Sequence, residues 1–168
     1  QVFSMLNRVF SRFDELAEAR GLEKIKTIGD AYMVAGGLNE NTADYTVAIA
    51  DLALDMRDWL RNQTTGTGVL LDLRIGIGTG PVVAGVVGKK KFIYDLWGDT
   101  VNLAHRITTE SMANTILCDS ATFLRLKYRF VFEDPVTLRL KGKGMVSVWR
   151  LLSRSPARLA TVDMDLTA

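Results

Sequence analysis

The chain has 168 residues, 48% of them hydrophobic and 24% charged, an ordinary balance for one globular domain of about 100–200 residues. The 21 basic and 19 acidic side chains leave a net charge of +2, too small to indicate a nucleic-acid or membrane-surface partner by charge. One cysteine, Cys118, and one histidine, His105, exclude an internal disulfide, a cysteine metal cage and a multi-histidine zinc site.

The sequence lacks two signals that direct proteins to membranes. No apolar run approaches the ~20 residues of a membrane-spanning helix, and no basic start followed by an apolar block indicates a signal peptide. The chain begins at Gln1 rather than at methionine, so we expect it to be a piece of a longer protein. We therefore expect membrane attachment only through other parts of the parent chain.

The spacing of apolar residues predicts helices and strands in alternation. The first helix ends near Gly21, which suits a C-terminal cap. Gly29 and Asp30 predict the turn of a hairpin whose tip carries a carboxylate. In chain order we predict a helix from Val2 to near Gly21, strands over 23–28 and 31–37, a helix over 44–60, strands over 71–79, 82–87 and 92–96, a helix over 100–111, a strand over 115–118, a helix over 121–126, and strands over 136–140 and 146–152.

Helices interleaved with hairpins predict an α+β fold, a ferredoxin-like sandwich in which helices pack on one mostly antiparallel sheet. The sequence shows no internal repeat and no domain boundary before its end. We expect a single domain over 1–152 and a loose C-terminal tail over 153–168. Three lysines at 89–91 predict a basic turn.

Three familiar motifs do not fit. The glycine-rich segment 76–88 matches neither the dinucleotide-binding spacing nor the Walker spacing, so its glycines are better explained by bent strands or close backbone approach. A Ser–His–Asp triad would need His105, which falls inside a predicted helix.

Three short stretches combine polar side chains with apolar surroundings: 26–33, 94–106 and 140–144. Each alone has an ordinary structural explanation, because Gly29-Asp30 is a common turn pair, Asn102 and Arg106 suit a helix surface, and 141–144 suits a hairpin turn. Their order along the chain is what indicates a function.

Together with a glycine-rich segment, these stretches resemble the class III nucleotide cyclase catalytic domain, of the adenylyl cyclase type found in homodimeric, mammalian-like bacterial enzymes. The resemblance covers residues 1–152 and implies an adenylate cyclase, a lyase that closes ATP into 3′,5′-cyclic AMP and releases pyrophosphate for intracellular signalling. The four matching segments are 23–33, 80–88, 94–102 and 140–144.

The resemblance also implies a role for individual side chains. Asp30 would ligate one of two Mg²⁺ or Mn²⁺ ions, which require hard oxygen ligands. Asn102 would orient the ribose, Arg106 would meet charge that develops on the α-phosphate, and Lys141 would hold the terminal phosphates. Asn102 and Arg106 are four residues apart, so they share one face of the predicted helix.

Lys26 and Asp95 match the family positions that read the base. Lysine only donates hydrogen bonds, which suits adenine N1, and ionised aspartate only accepts them, which suits the N6 amine. Guanine presents the reverse pattern, and guanylyl members of the family usually carry Glu and Cys at these two positions. The sequence therefore favours ATP.

The sequence departs from the family at its start, because the strand that supplies the second metal aspartate is absent. We expect that segment to be missing from this chain and the chain to be poorly active in isolation. Since one copy carries both metal-binding and base-reading residues, we expect a head-to-tail homodimer with shared sites, in the cytoplasm or in the cytoplasmic domain of a membrane protein. A non-catalytic regulatory or nucleotide-binding cyclase-like domain and a guanylate cyclase are the alternatives.

Overall fold

The computed structural model describes residues 2–38, 44–63, 71–89 and 93–156, which contain four helices and nine strands. They fall into two compact units: the first unit is Gln1–Leu73 with Pro81–Val101, and the second unit is Arg74–Gly80 with Asn102–Ala168. In chain order the elements are α1 (Val2–Ala19), β1 (Glu23–Ile28), β2 (Ala31–Ala35), α2 (Tyr45–Gln63), β3 (Arg74–Ile77), β4 (Val83–Val87), β5 (Ile93–Trp97), α3 (Asp99–Glu110), β6 (Thr115–Cys118), α4 (Ser120–Leu126), β7 (Phe130–Phe132), β8 (Val136–Leu140) and β9 (Gly144–Arg154).

The first unit is built on the packing of α1 against α2 and β1. Residues at helical spacing on one face of α1, among them Phe13 and Ala17, are buried. The helix ends as predicted: Leu22 N–H donates to the Ala17 carbonyl, Gly21 N–H donates to the Glu18 carbonyl, and Gly21 has a φ of 69°. This Schellman motif satisfies two of the last carbonyls and turns the chain into β1.

Two antiparallel hairpins complete the first unit. β1 pairs with β2 across the predicted Gly29-Asp30 turn, and β4 pairs with β5. β1 and β5 are neighbours, so side chains of these two strands can meet.

The second unit is a five-stranded sheet covered by α3. The strand order is β3-β6-β9-β7, with β8 also paired to β9; β3 and β6 are parallel and the other pairs are antiparallel. Ile107 of α3 is fully buried in a cluster with Leu117, Leu140 and Val148. Gly76 of β3 faces α3 directly, since a Cβ atom there would lie 2.5 Å from the carbonyl oxygen of Ala104.

The α+β class with mainly antiparallel pairing is confirmed, but the described residues form three sheets rather than the one expected.

Strand β7 was not predicted, because three residues are too few to show a period of two. The boundary expected after residue 152 lies inside β9, which continues because Ser153 pairs with Val131 and Arg154 with Phe130. Most of the expected tail (157–168) and two lysines of the basic turn lie outside the described residues.

Within the described ranges, no helix combines the length and the apolar character that crossing a membrane requires.

Candidate functional site

Lys26 on β1 and Asp95 on β5 form an ion pair in the first unit. Nζ of Lys26 donates to Oδ2 of Asp95 at 2.7 Å, and the backbone N–H of Leu96 donates to Oδ1 at 2.8 Å. The two side chains are 29% and 16% exposed, so the pair is partly sheltered and still reachable from solvent. The hydrogen bond from Lys26, and then that from Leu96, holds the pKa of Asp95 below its ordinary value. A donor-only group and an acceptor-only group therefore stand side by side at neutral pH.

Asp30 lies at the tip of the β1–β2 hairpin with its side chain exposed. Gly29 precedes it with a φ of 58°, a left-handed conformation that favours glycine. Mg²⁺ in nucleotide sites is commonly bound by one or two protein carboxylates together with substrate phosphates. The Asp30 carboxylate fits one such ligand. The described ranges contain no group of three or more His, Cys, Asp and Glu side chains that could form a metal cage from protein atoms alone.

Asn102 and Arg106 lie one turn apart on α3, in the second unit. Asn102 is exposed and Arg106 is half-buried. The next residue, Ile107, is fixed in the core cluster, and the close approach of Gly76 fixes the helix against β3. The helix that carries both side chains is thus held to its sheet by packing on the opposite face.

Lys141 lies in the turn between β8 and β9, where its side chain is exposed. The turn is closed by the Lys143 N–H, which donates to the Leu140 carbonyl at 3.0 Å. Gly142 and Gly144 both have positive φ values, 78° and 73°, so the glycines of this motif are required by the backbone. The turn presents Lys141 as a point charge on a long stem.

The structure thus brings Lys26 and Asp95 into contact and places Asn102 and Arg106 on one helix face. Asp30 and Lys141 each lie at a hairpin turn, Asp30 in the first unit and Lys141 in the second. Two other reactive residue types stay outside these groups: His105 is exposed on α3, and burial raises the pKa of the Cys118 thiol.

Asp14 and Tyr32, which contact the strand that carries Lys26, were not predicted from the sequence. The hydroxyl of Tyr32 donates to Oδ1 of Asp14 at 2.7 Å, and Nζ of Lys24 lies 3.1 Å from the same oxygen. No local pattern predicts these contacts, because they join α1 to the hairpin. A regular strand would also place Lys24 and Lys26 on one face, whereas β1 has an irregularity between them.

Comparison with known sequences points to one family. The family model for the adenylate and guanylate cyclase catalytic domain matches residues 1–153. An adenylate cyclase of Mycobacterium tuberculosis is 43% identical over 152 residues, which are 90% of this chain and 34% of the mycobacterial protein. The chain therefore spans about a third of the length of that relative.

Solved structures give the same result for the fold. The guanylate cyclase domain of RhGC from Catenaria anguillulae, in complex with GTP, superposes with a TM-score of 0.85 at 34% identity, over 92% of this chain and 85% of that one. The adenylyl cyclase CyaB from P. aeruginosa superposes with a TM-score of 0.84 at 25% identity, over 92% of this chain and 83% of that one.

Proposed function

This chain belongs to the adenylate and guanylate cyclase catalytic domain family, and we propose that it converts ATP into 3′,5′-cyclic AMP and pyrophosphate. The family membership confirms the resemblance seen in the motifs and makes the domain a homologue of lyases. The 43% identity to an adenylate cyclase supports this proposal. We also propose that the domain works in the cytoplasm, where ATP is available, either free or as the cytoplasmic domain of a membrane protein.

The contact between Lys26 and Asp95 is the observation that carries the choice of ATP. Lys26 uses one of its three N–H donors on Asp95, which leaves donors for adenine N1. Each carboxylate oxygen of Asp95 accepts one hydrogen bond and keeps a lone pair for the N6 amine. Guanine would set its N1–H against an ammonium and its O6 against a carboxylate, which leaves donors facing donors and acceptors facing acceptors.

The remaining site residues suit the cyclisation step. The ribose 3′ hydroxyl gives its proton to solvent water and its oxygen forms a bond to the α-phosphorus, while the bond from that phosphorus to the bridging oxygen breaks and pyrophosphate leaves. Asn102 orients the ribose by hydrogen bonds from its amide. Arg106 donates to the α-phosphate oxygens as charge builds on them. Lys141 pairs with the terminal phosphates.

Asp30 is the side chain that would hold a divalent cation, either Mg²⁺ or Mn²⁺. Two such ions, when bound with the nucleotide, neutralise phosphate charge and lower the pKa of the 3′ hydroxyl. Asp30 and Lys26 belong to the same hairpin, Asp30 at the turn and Lys26 within β1. In a head-to-tail homodimer, Asp30 of one copy would serve the site whose Lys26, Asp95, Asn102 and Arg106 come from the other copy.

A cyclase assay of the full-length protein tests this function, with ATP and GTP side by side and with Mg²⁺ or Mn²⁺. We expect cyclic AMP as the main product and no product after chelation of the metal. A preference for GTP would overturn the roles of Lys26 and Asp95. Nucleotide binding without turnover would instead support a regulatory cyclase-like domain.

A further inference from the structure

Lys24 and Lys26 are paired to opposite faces of β1, although a regular strand would place them on the same face. Lys24 is paired with Val34 and Lys26 with Met33. Val34 and Met33 are consecutive, so they point to opposite faces, and directly paired residues share a face. The extra residue between the two lysines, Ile25, is a β-bulge, and it is the reason for the switch.

A charged and aromatic cluster holds Lys24 on the face that meets α1. Its ammonium lies 3.1 Å from Oδ1 of Asp14 and 5.5 Å from the ring centre of Tyr32. Tyr32 donates to Asp14 at 2.7 Å and packs on Phe10 and Phe13 at centroid distances of 5.4 and 5.6 Å. Burial, and then the hydrogen bond to the Asp14 carboxylate, raises the pKa of the Tyr32 hydroxyl, which therefore stays a donor.

On the other side of the bulge, Lys26 reaches Asp95 at 2.7 Å. We infer that Asp14 and Tyr32 are positioning residues for base recognition: by holding Lys24 against α1, they fix the bulge at Ile25 and turn Lys26 towards Asp95. Without this anchor, β1 can pair without the bulge, and both lysines then point to one face. The inference rests on the proposed function for its effect on nucleotide choice.

Kinetics on the full-length protein test this with Asp14→Asn and Tyr32→Phe. We expect KM for ATP to rise at least threefold and the ATP-to-GTP preference to fall, while kcat at saturating ATP changes less than twofold. Asp14→Glu, which keeps the carboxylate, should restore most of the preference. Glu15→Gln is the matched control. It removes an exposed ion pair between Glu15 and Arg12 of α1, and it should change neither KM for ATP nor the ATP-to-GTP preference.

Thermal unfolding tests the same coupling without catalysis. The test is a double-mutant cycle made of Asp14→Asn, Asp95→Asn and the variant with both changes. We expect the double variant to lose less Tm than the sum of the losses of the two single variants. Independent sites would add. Additive Tm losses, or an unchanged ATP-to-GTP preference in an active enzyme, would overturn the inference. If the wild type has no cyclase activity but the Tm losses are non-additive, only the proposed function is rejected.

Discussion

The ammonium of Lys26 and the carboxylate of Asp95 lie 2.7 Å apart, although 69 positions separate the two residues in the chain. Removing one partner would leave the other charge partly buried and unpaired, which costs more than the loss of an exposed pair.

Replacing both base-reading side chains should change which nucleotide the domain prefers. In Lys26→Glu with Asp95→Cys, glutamate can accept from guanine N1–H and the thiol can donate weakly to O6. We expect kcat/KM for ATP to fall about 10- to 100-fold, as for two lost hydrogen bonds of about 1 kcal/mol each, and kcat/KM for GTP to rise. The measurement is kcat/KM for both nucleotides. Lys127→Glu, a surface charge reversal on the second unit, is the control, and a preserved ATP preference in the double variant would refute the base-reading roles.

Loss of Arg106 should affect the chemical step more than binding. Because its guanidinium meets charge that develops on the α-phosphate, Arg106→Ala should lower kcat about 10²- to 10³-fold with little change in KM. Steady-state kinetics with ATP measure both. His105→Ala is a neighbour on the same helix with an exposed side chain and should leave kcat unchanged. A raised KM with normal kcat would assign Arg106 to ground-state binding instead.

Two inactive variants should complement each other if the sites are shared. Asp30→Ala and Arg106→Ala would each abolish both sites of a homodimer, but a mixed dimer keeps one intact site. When the two full-length variants are mixed in equal amounts, we expect up to about a quarter of wild-type activity, since half of randomly formed dimers are mixed and each has one working site of two. If no ratio of the two variants restores activity, the result argues against the head-to-tail arrangement.

The pH dependence of the unfolding free energy should reveal how much the Lys26–Asp95 ion pair contributes to stability. The pKa of Asp95 is lower in the folded than in the unfolded protein. The pair therefore contributes its full stability above the unfolded pKa of about 3.9. That contribution is lost as the pH falls through the folded pKa. The difference in unfolding free energy between wild type and Asp95→Asn should be constant from about pH 8 to 5 and should shrink below about pH 4. Urea titrations at several pH values measure it, and a difference that grows on acidification would contradict the sign.

The close approach of β3 to α3 should make Gly76 intolerant of a side chain. In Gly76→Ala the new Cβ would meet the Ala104 carbonyl oxygen and Oγ1 of Thr108, each at 2.5 Å. We expect a loss of about 1–3 kcal/mol of unfolding free energy by overpacking, measured by denaturant unfolding. Gly142→Ala is the comparison, because it has open space and a φ of 78° and should lose only about 1–2 kcal/mol through backbone strain. A Gly76 variant as stable as the wild type would show that α3 can move away freely.

Most elements of the fold could be predicted because their signals are local. The α1 stripe and its Gly21 cap, the Gly29-Asp30 turn and strand β6 lie where the spacing of residues placed them. Strand β7 and the last residues of β9 could not be predicted, since each is stabilised by the other rather than by its own sequence. The division of the strands into three sheets follows from pairing choices that no single segment contains.

For the candidate site, the amino acids determined which groups are available: a donor-only lysine, acceptor-only aspartates, an amide and a guanidinium at helical spacing, and a lysine in a glycine-rich turn. Only the tertiary structure decided which face Lys26 occupies. Alternation along β1 assigns Lys24 and Lys26 to the same side, and a bulge at Ile25, beside the contacts of Lys24 with α1, places them on opposite sides. The physical reason is that the direction of a strand side chain depends on the residue paired with it across the sheet, and that pairing is decided by packing between segments distant in the chain.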